Sequence, residues 1–210
     1  MLSQPIERAK LLDIKRIQML TDAIFAVAMT ILILELKIPS GLSTANVSSE
    51  FFTHTIWQLG FYFFSFVILG IFWTGSHFHH HLITETDRVS SWMNIFFLMF
   101  ICIIPFSAGF INHYRHERLS IIFYALNLIM ASLFNLLMLA YAWKRKYIQP
   151  YVSKADFNNA RQRILFPIYI YVLVIAVSFV STRIAILLFF TPILLHLIPE
   201  TINKKQVRGC

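Results

Sequence analysis

From Arg16 to Ile38 the chain reads RIQMLTDAIFAVAMTILILELKI, an apolar stretch long enough to cross a bilayer as one helix, with an aspartate one turn inside its start. In lipid a spanning segment must satisfy its own backbone hydrogen bonds, so it folds as a helix. An ionisable side chain inside it is costly and usually functional. Further apolar runs complete a series at 17–38, 53–76, 91–112, 119–143 and 164–182, with a shorter one at 184–199. With 58% hydrophobic and only 13% charged residues, the chain lacks the polar surface of a soluble domain. The expected fold is an all-α integral membrane protein of six transmembrane helices in a single repeat, one membrane domain over 1–210. The last two runs are separated only by Ser181, Thr182 and Arg183 and could also form one long re-entrant element. Two crossings fit better, because their combined length exceeds any single one.

Charge sets the expected orientation. With the N-terminus inside, fourteen Lys and Arg residues fall on the cytoplasmic side, among them Arg8, Lys15, Arg88, the Lys144-Arg145-Lys146 run, Arg161 and Lys204. Four fall outside: Lys37, Arg115, Arg118 and Arg183. The positive-inside rule then places both termini in the cytoplasm, and the expected location is a membrane crossed several times, the inner membrane if the cell is prokaryotic. The formal charge of +8 reads as this asymmetry plus attraction to anionic lipid headgroups, with no separate basic domain for nucleic acid. The first fifteen residues have no short apolar core followed by a small-residue cleavage site, so the first helix is expected to stay in the mature protein. Cys102 and Cys210 cannot form a disulfide framework. The longest loop, Tyr147 to Arg163, leaves no room for a catalytic domain, and no phosphate loop, nucleophile elbow or carboxylate pair occurs. No enzyme activity and no cofactor are expected.

Asp22 lies at the cytoplasmic end of the first helix. The stretches Trp73 to His81 and Trp92 to Asn94 fall at the same depth. A carboxylate buried there needs donors, and Trp indole, Asn amide and His imidazole groups can serve. A structural clamp holding three helices is one reading of Asp22; a direct part in ion passage is the other. Arg16 is about 120° from Asp22 around the helix, so it is suited to another helix or to lipid phosphate. In SHFHHHL, His77 and His81 share a helix face at a common zinc spacing, yet no Cys, Asp or Glu completes a set, so no metal site is assigned. These histidines are alternatively interfacial or pH-responsive. Asn127, Ala131 and Asn135 lie on one face of the fourth helix, a pattern for helix–helix hydrogen bonding. In the first helix, Ala23, Val27, Thr30 and Leu34 recur at intervals of three and four, forming a narrow stripe from the Asp22 region to the outer end. By itself such a stripe is compatible with simple packing.

Arg16, then Leu20-Thr21-Asp22 with Ala23 and Ala26, resembles the Arg followed by Phe-Ser-Asp that opens the first helix of the transmembrane protein 175 family, potassium channels of endosomes and lysosomes with prokaryotic relatives. SFVILGIFWTGSHFHH resembles that family's second helix, with Trp73 and His77 in matching places. RVSSWMNIFFLMFICIIPFSA resembles the third, with Trp92, Asn94, Pro105 and Phe106. After Ser120 only hydropathy and length match. Thr21 keeps the hydroxyl of the motif's Ser, whereas Leu20 replaces its usual aromatic. Animal members are similar to two such repeats in tandem; one repeat is the prokaryotic pattern.

The resemblance implies a homotetramer around a pore lined by the first helix, without the TVGYG filter loop of ordinary potassium channels. It places the hydrophobic constriction on Val27, five positions after Asp22. The hydroxyl-bearing position that influences ion selectivity falls on Thr30, and a further apolar pore position on Leu34. It also implies a structural polar network of Arg16, Thr21, Asp22, His77, Trp92 and Asn94. The expected function is a potassium-permeable cation channel, with Na+ or H+ as further candidate permeant ions. Four Val side chains can close a pore by dewetting, and Thr hydroxyls can replace part of a cation's hydration shell. Glu35 either raises cation concentration at the outer mouth or sits at the headgroup level. The competing readings are a secondary transporter or proton or metal carrier using Asp22 and the His77–His81 cluster, and a membrane scaffold.

Overall fold

The computed structural model describes residues 14–36, 47–114 and 117–197, with side chains omitted at 47–54, 80–81 and 195–197. These segments are helical apart from their connections, two of which meet in an isolated bridge between Ile83 and Ile148. Helix α1 (Ile14–Ile31) tightens into a 3-10 turn at Leu32–Glu35. Four long helices follow: α2 (Val47–Leu82), α3 (Arg88–His113), α4 (Arg118–Arg145) and α5 (Lys154–Ser178). Two short ones, α6 (Thr182–Leu188) and α7 (Thr191–Leu197), complete the order. Five segments are long and apolar enough to cross a membrane: Ile14–Glu35, Thr55–His79, Arg88–His113, Arg118–Arg145 and Lys154–Ser178. This is a multi-pass membrane protein.

Two sequence expectations are corrected. The run at 184–199 is not one continuous helix but the pair α6 and α7, each of seven residues and about 10 Å long, too short to cross alone. Pro192 accounts for the break: it has no N–H for the carbonyl of Leu188, and its ring crowds that position. The break is itself a packing element. Phe189, 1% exposed, enters the core against Phe64, Tyr124 and Tyr171 at ring-centroid distances of 6.2, 5.3 and 6.0 Å. The second correction concerns the expected loop Tyr147 to Arg163, which is helical from Lys154 onward. Ser153 caps that helix: its hydroxyl accepts the Asp156 N–H while the Asp156 carboxylate accepts the Ser153 N–H, a reciprocal box that fixes the start.

The core lies along the α3–α4 seam, and α4 packs on both α3 and α5. Phe97, Ile101, Ile104, Tyr124 and Leu128 are fully enclosed. Tyr124 satisfies its hydroxyl at Ser65 of α2, 3.2 Å away. The polar stripe of α4 bonds across helices as its spacing suggested: Asn127 donates to Ser107 at 3.3 Å, and Asn135 accepts from His79 Nδ1 at 2.8 Å.

At one end the α2–α3 and α4–α5 connections are stitched together. The Thr84 N–H donates to the Tyr147 carbonyl (2.7 Å) and the Gln149 N–H to that of Leu82 (2.9 Å). Asp87 completes the joint. It caps α3 by accepting the Ser90 N–H at 2.9 Å, accepts the Tyr141 hydroxyl at 2.6 Å and faces Arg145 at 3.8 Å.

Candidate pore face and its bracing network

Helix α1 divides sharply into two faces. Thr21, Phe25, Ala28 and Leu32, spaced four, three and four apart, are buried against the chain. Phe25 meets Phe97 of α3 at a centroid distance of 6.0 Å. On the opposite side Ala23, Ala26, Val27, Thr30 and Leu34 are exposed, Val27 at 53% and Leu34 at 72%. Only 22% of the most apolar window of α1 is buried within the chain, against 50% for α3 and for α4. The exposed stripe thus combines two alanines and one hydroxyl with the apolar Val27 and Leu34, facing away from the rest of the chain.

Thr30 donates its hydroxyl proton to its own helix, with the Ala26 carbonyl at 3.0 Å and the Val27 carbonyl at 2.8 Å. This local bond does not turn Thr30 away from the stripe, because the residue stays exposed. A hydroxyl that donates to the backbone keeps its lone pairs as acceptors. The oxygen therefore keeps acceptor capacity on an exposed side chain.

The other face of α1 carries the bracing network, in a pattern that differs from the expected one. The donor on Asp22 is the indole N–H of Trp73, at 2.9 Å, rather than His77, Trp92 or Asn94. Asn94, 2% exposed, donates instead to the Thr21 hydroxyl at 3.1 Å, and Thr21 donates onward to the Ile17 carbonyl at 2.9 Å. His77 accepts at Nδ1 from the Gln18 amide at 3.4 Å and lies beside the Trp73 ring. Trp92 is 51% exposed and faces Phe96, 6.3 Å between centroids. Arg16 is exposed and makes no ion pair among the described residues. Three residues of α1, Gln18, Thr21 and Asp22, thus answer His77 and Trp73 of α2 and Asn94 of α3, in separate bonds rather than around one carboxylate.

The side chain of His81 lies outside the described residues. Among those described, no three His, Cys, Asp or Glu side chains come together as a metal site. Glu35 does not project toward the stripe. Its carboxylate lies over Gly109 of α3, so close that a Cβ at that position would overlap it.

The Asp87 cluster was missed from the sequence. Burial pushes the Asp87 carboxyl up, but the Ser90 N–H, the Tyr141 hydroxyl and the Arg145 charge outweigh it and hold the group below the ordinary carboxylate range. Arg145 also lies over the rings of Tyr141 and Tyr147, 5.8 and 5.9 Å from their centroids. The signal available was local: an Asp immediately ahead of the helical run that starts at Arg88, the position of an N-cap.

Comparison with known proteins bears on the whole arrangement. Residues 16–105 match the family model described as the endosomal/lysosomal potassium channel TMEM175. That match spans α1, α2 and most of α3, which hold both the stripe and its braces. A potassium channel of Chryseobacterium sp. (strain P1-3) is 26% identical over 196 residues, covering 92% of this chain and 97% of that protein. A potassium channel of Chamaesiphon minutus is 24% identical over 176 residues, 81% of this chain and 87% of its own. The crystal structure of a lysosomal potassium-selective channel TMEM175 homolog from Chamaesiphon minutus superposes with a TM-score of 0.73 at 20% identity, covering 87% of this chain and 95% of that one. The last likeness establishes the shared fold.

Proposed function

We propose, from the premise that this chain belongs to the endosomal/lysosomal potassium channel TMEM175 family, that it is a potassium-permeable channel of a prokaryotic inner membrane, assembled as a homotetramer around α1. The observation that carries the reading is the outward stripe Val27–Thr30–Leu34, set opposite the buried face of the same helix. One exposed helix cannot enclose a path, and closed cyclic symmetry turns one stripe into a complete wall.

In that wall a ring of four Val27 side chains forms the hydrophobic gate. A constriction of this kind excludes water, and with it ions, until the helices spread or rotate. Thr30, one turn further along, presents a ring of hydroxyl oxygens that replaces part of the hydration shell of a passing cation. Leu34 lines the outer end. The braces at Asp22 and Thr21 lie outside the path and hold α1 at a fixed azimuth against α2 and α3, so that the stripe and not the Phe25 face meets the axis.

The test is flux of K+, Na+ and H+ from liposomes holding the purified protein, with Val27→Ser and Val27→Ala alongside. Unsaturating K+ flux that rises in both variants is the expected result. Unchanged flux from both would remove Val27 from the path. Saturating, coupled antiport would favour a carrier built on Asp22, and absence of flux a scaffold.

A further inference from the structure

The outer end of α1 ends in a feature that neither the stripe nor the brace uses. Over Leu32–Glu35 the helix winds as a 3-10 turn, in which residues three apart eclipse and neighbours are 120° apart. Leu32 and Glu35 therefore share one side, and Leu34 points elsewhere. Leu32 is 2% exposed and Leu34 is 72% exposed, as this winding requires.

Glu35 is seated on α3. A Cβ on Gly109 would collide with the Glu35 carboxyl oxygen and carbon, whereas a Cβ on Gly60, Gly70 or Gly75 of α2 would meet nothing within 4 Å. A small, mainly apolar pocket beside this seat is lined by Leu32, Leu36 and Phe61 together with Gln58, Tyr62 and Asn112, and Glu35 borders it. The amide oxygen of Asn112 is buried there without a hydrogen-bond partner. The Glu35 carboxylate fits over the bare backbone of Gly109, so the contact is set by shape.

We infer that Glu35 is a positioning residue for the outer pore: its carboxyl, seated over Gly109, latches the 3-10 turn to α3 and so fixes the direction of Leu34. The inference rests on the reading that α1 lines the pore. It replaces the alternative in which Glu35 acts by its charge at the mouth. Releasing the seat lets the terminal turn rewind or rotate, and Leu34 then leaves its place in the outer ring.

The test uses Leu34→Cys in the full-length tetramer with Cys102 and Cys210 replaced by Ser, modified by a membrane-impermeant cationic methanethiosulfonate under K+ current recording. Gly109→Ala fills the seat from α3, and Glu35→Ala empties it from α1. Each should accelerate modification of Leu34→Cys several-fold, and the double variant should react no faster than Glu35→Ala alone, since without the carboxylate the added methyl meets nothing. Glu35→Gln has the same shape and should stay near the parent rate.

Parent-like rates in both Gly109→Ala and Glu35→Ala would overturn the latch, and so would additive effects in the double variant. Loss of function in Glu35→Gln, with Gly109→Ala unaffected, would assign Glu35 to mouth electrostatics instead. If Gly109→Ala fails to assemble, Glu35→Ala against Glu35→Gln still decides. The latch is read from the rate of thiol labelling, followed by mass measurement of the protein, and the pore from the current: labelling that leaves the parent current unchanged would refute the pore reading while the labelling rates still report on the latch.

Discussion

Thr21→Val is the most informative single change in the brace, because it alters one buried hydroxyl that bonds both Asn94 and the Ile17 carbonyl. Thr21 is 1% exposed and Asn94 2%, and the Asn94 amide N–H has the Thr21 oxygen as its acceptor. The amide oxygen of Asn94 is already buried without a partner. Valine keeps the shape and leaves both ends of that amide unsatisfied. An average interhelical hydrogen bond in a bilayer is worth only about 0.6 kcal/mol, whereas stranding a buried polar group costs about 1–3 kcal/mol. The second figure governs here, since the donor is orphaned rather than merely unbonded. Asn94→Leu should be milder. It removes the whole amide, and Thr21 retains the Ile17 carbonyl at 2.9 Å. The double variant should then resemble Asn94→Leu, giving a coupling of about 1–2 kcal/mol in a double-mutant cycle. Unfolding midpoints of the purified protein in detergent with added denaturant supply the four corners. Additivity within about 0.5 kcal/mol would show that the Thr21–Asn94 bond does not hold α1 to α3.

Thr30→Ala should narrow the difference between K+ and Na+ while Thr30→Ser preserves it; a parental reversal potential in Thr30→Ala under mixed ions would place selectivity elsewhere. Asp22→Asn keeps an oxygen for the Trp73 indole and should assemble normally, whereas Asp22→Ala strands that N–H at a cost of about 1 kcal/mol and should lower the yield of tetramer on native gels. If Asp22→Asn instead abolished flux in an intact tetramer, the conduction path would have to include that carboxylate. Asp87 has its folded-state pKa depressed below the ordinary 3.8, so the stability it contributes is present above that value and is lost as pH falls through the folded pKa. The unfolding midpoint of Asp87→Asn should therefore lie below the parent's by a constant amount at neutral and mildly acidic pH, and the two should converge in strong acid. A gap that persisted there would assign the effect to geometry alone.

The faces of α1 were readable because helical periodicity is a one-dimensional property: Val27, Thr30 and Leu34 fall on a line whatever the neighbours do. The Asn127 and Asn135 bonds were readable for the same reason. Partner choice in the brace was not. Trp73, His77, Trp92 and Asn94 share one depth, and which of them reaches Asp22 depends on helix azimuths that spacing does not encode. The interruption near Phe189 was available in Pro192, whose missing N–H weighs more than the hydropathy of the run around it. The helix that begins at Lys154 was also available, in the Ser153–Asp156 pair. Net charge pointed instead to a basic loop. The Asp87 joint unites residues more than fifty positions apart through two connections, and no local pattern marks such a meeting.

Because Ala26, Val27, Thr30 and Leu34 are exposed while Thr21, Phe25, Ala28 and Leu32 are buried against the rest of the chain, the two faces answer to separate demands. Substitution on the inward face is constrained by the folding of one protomer. On the proposed pore reading, substitution on the outward face leaves that folding intact and acts where chains come together, so what the assembly admits can be retuned along Val27, Thr30 and Leu34 without first repairing the scaffold that carries them.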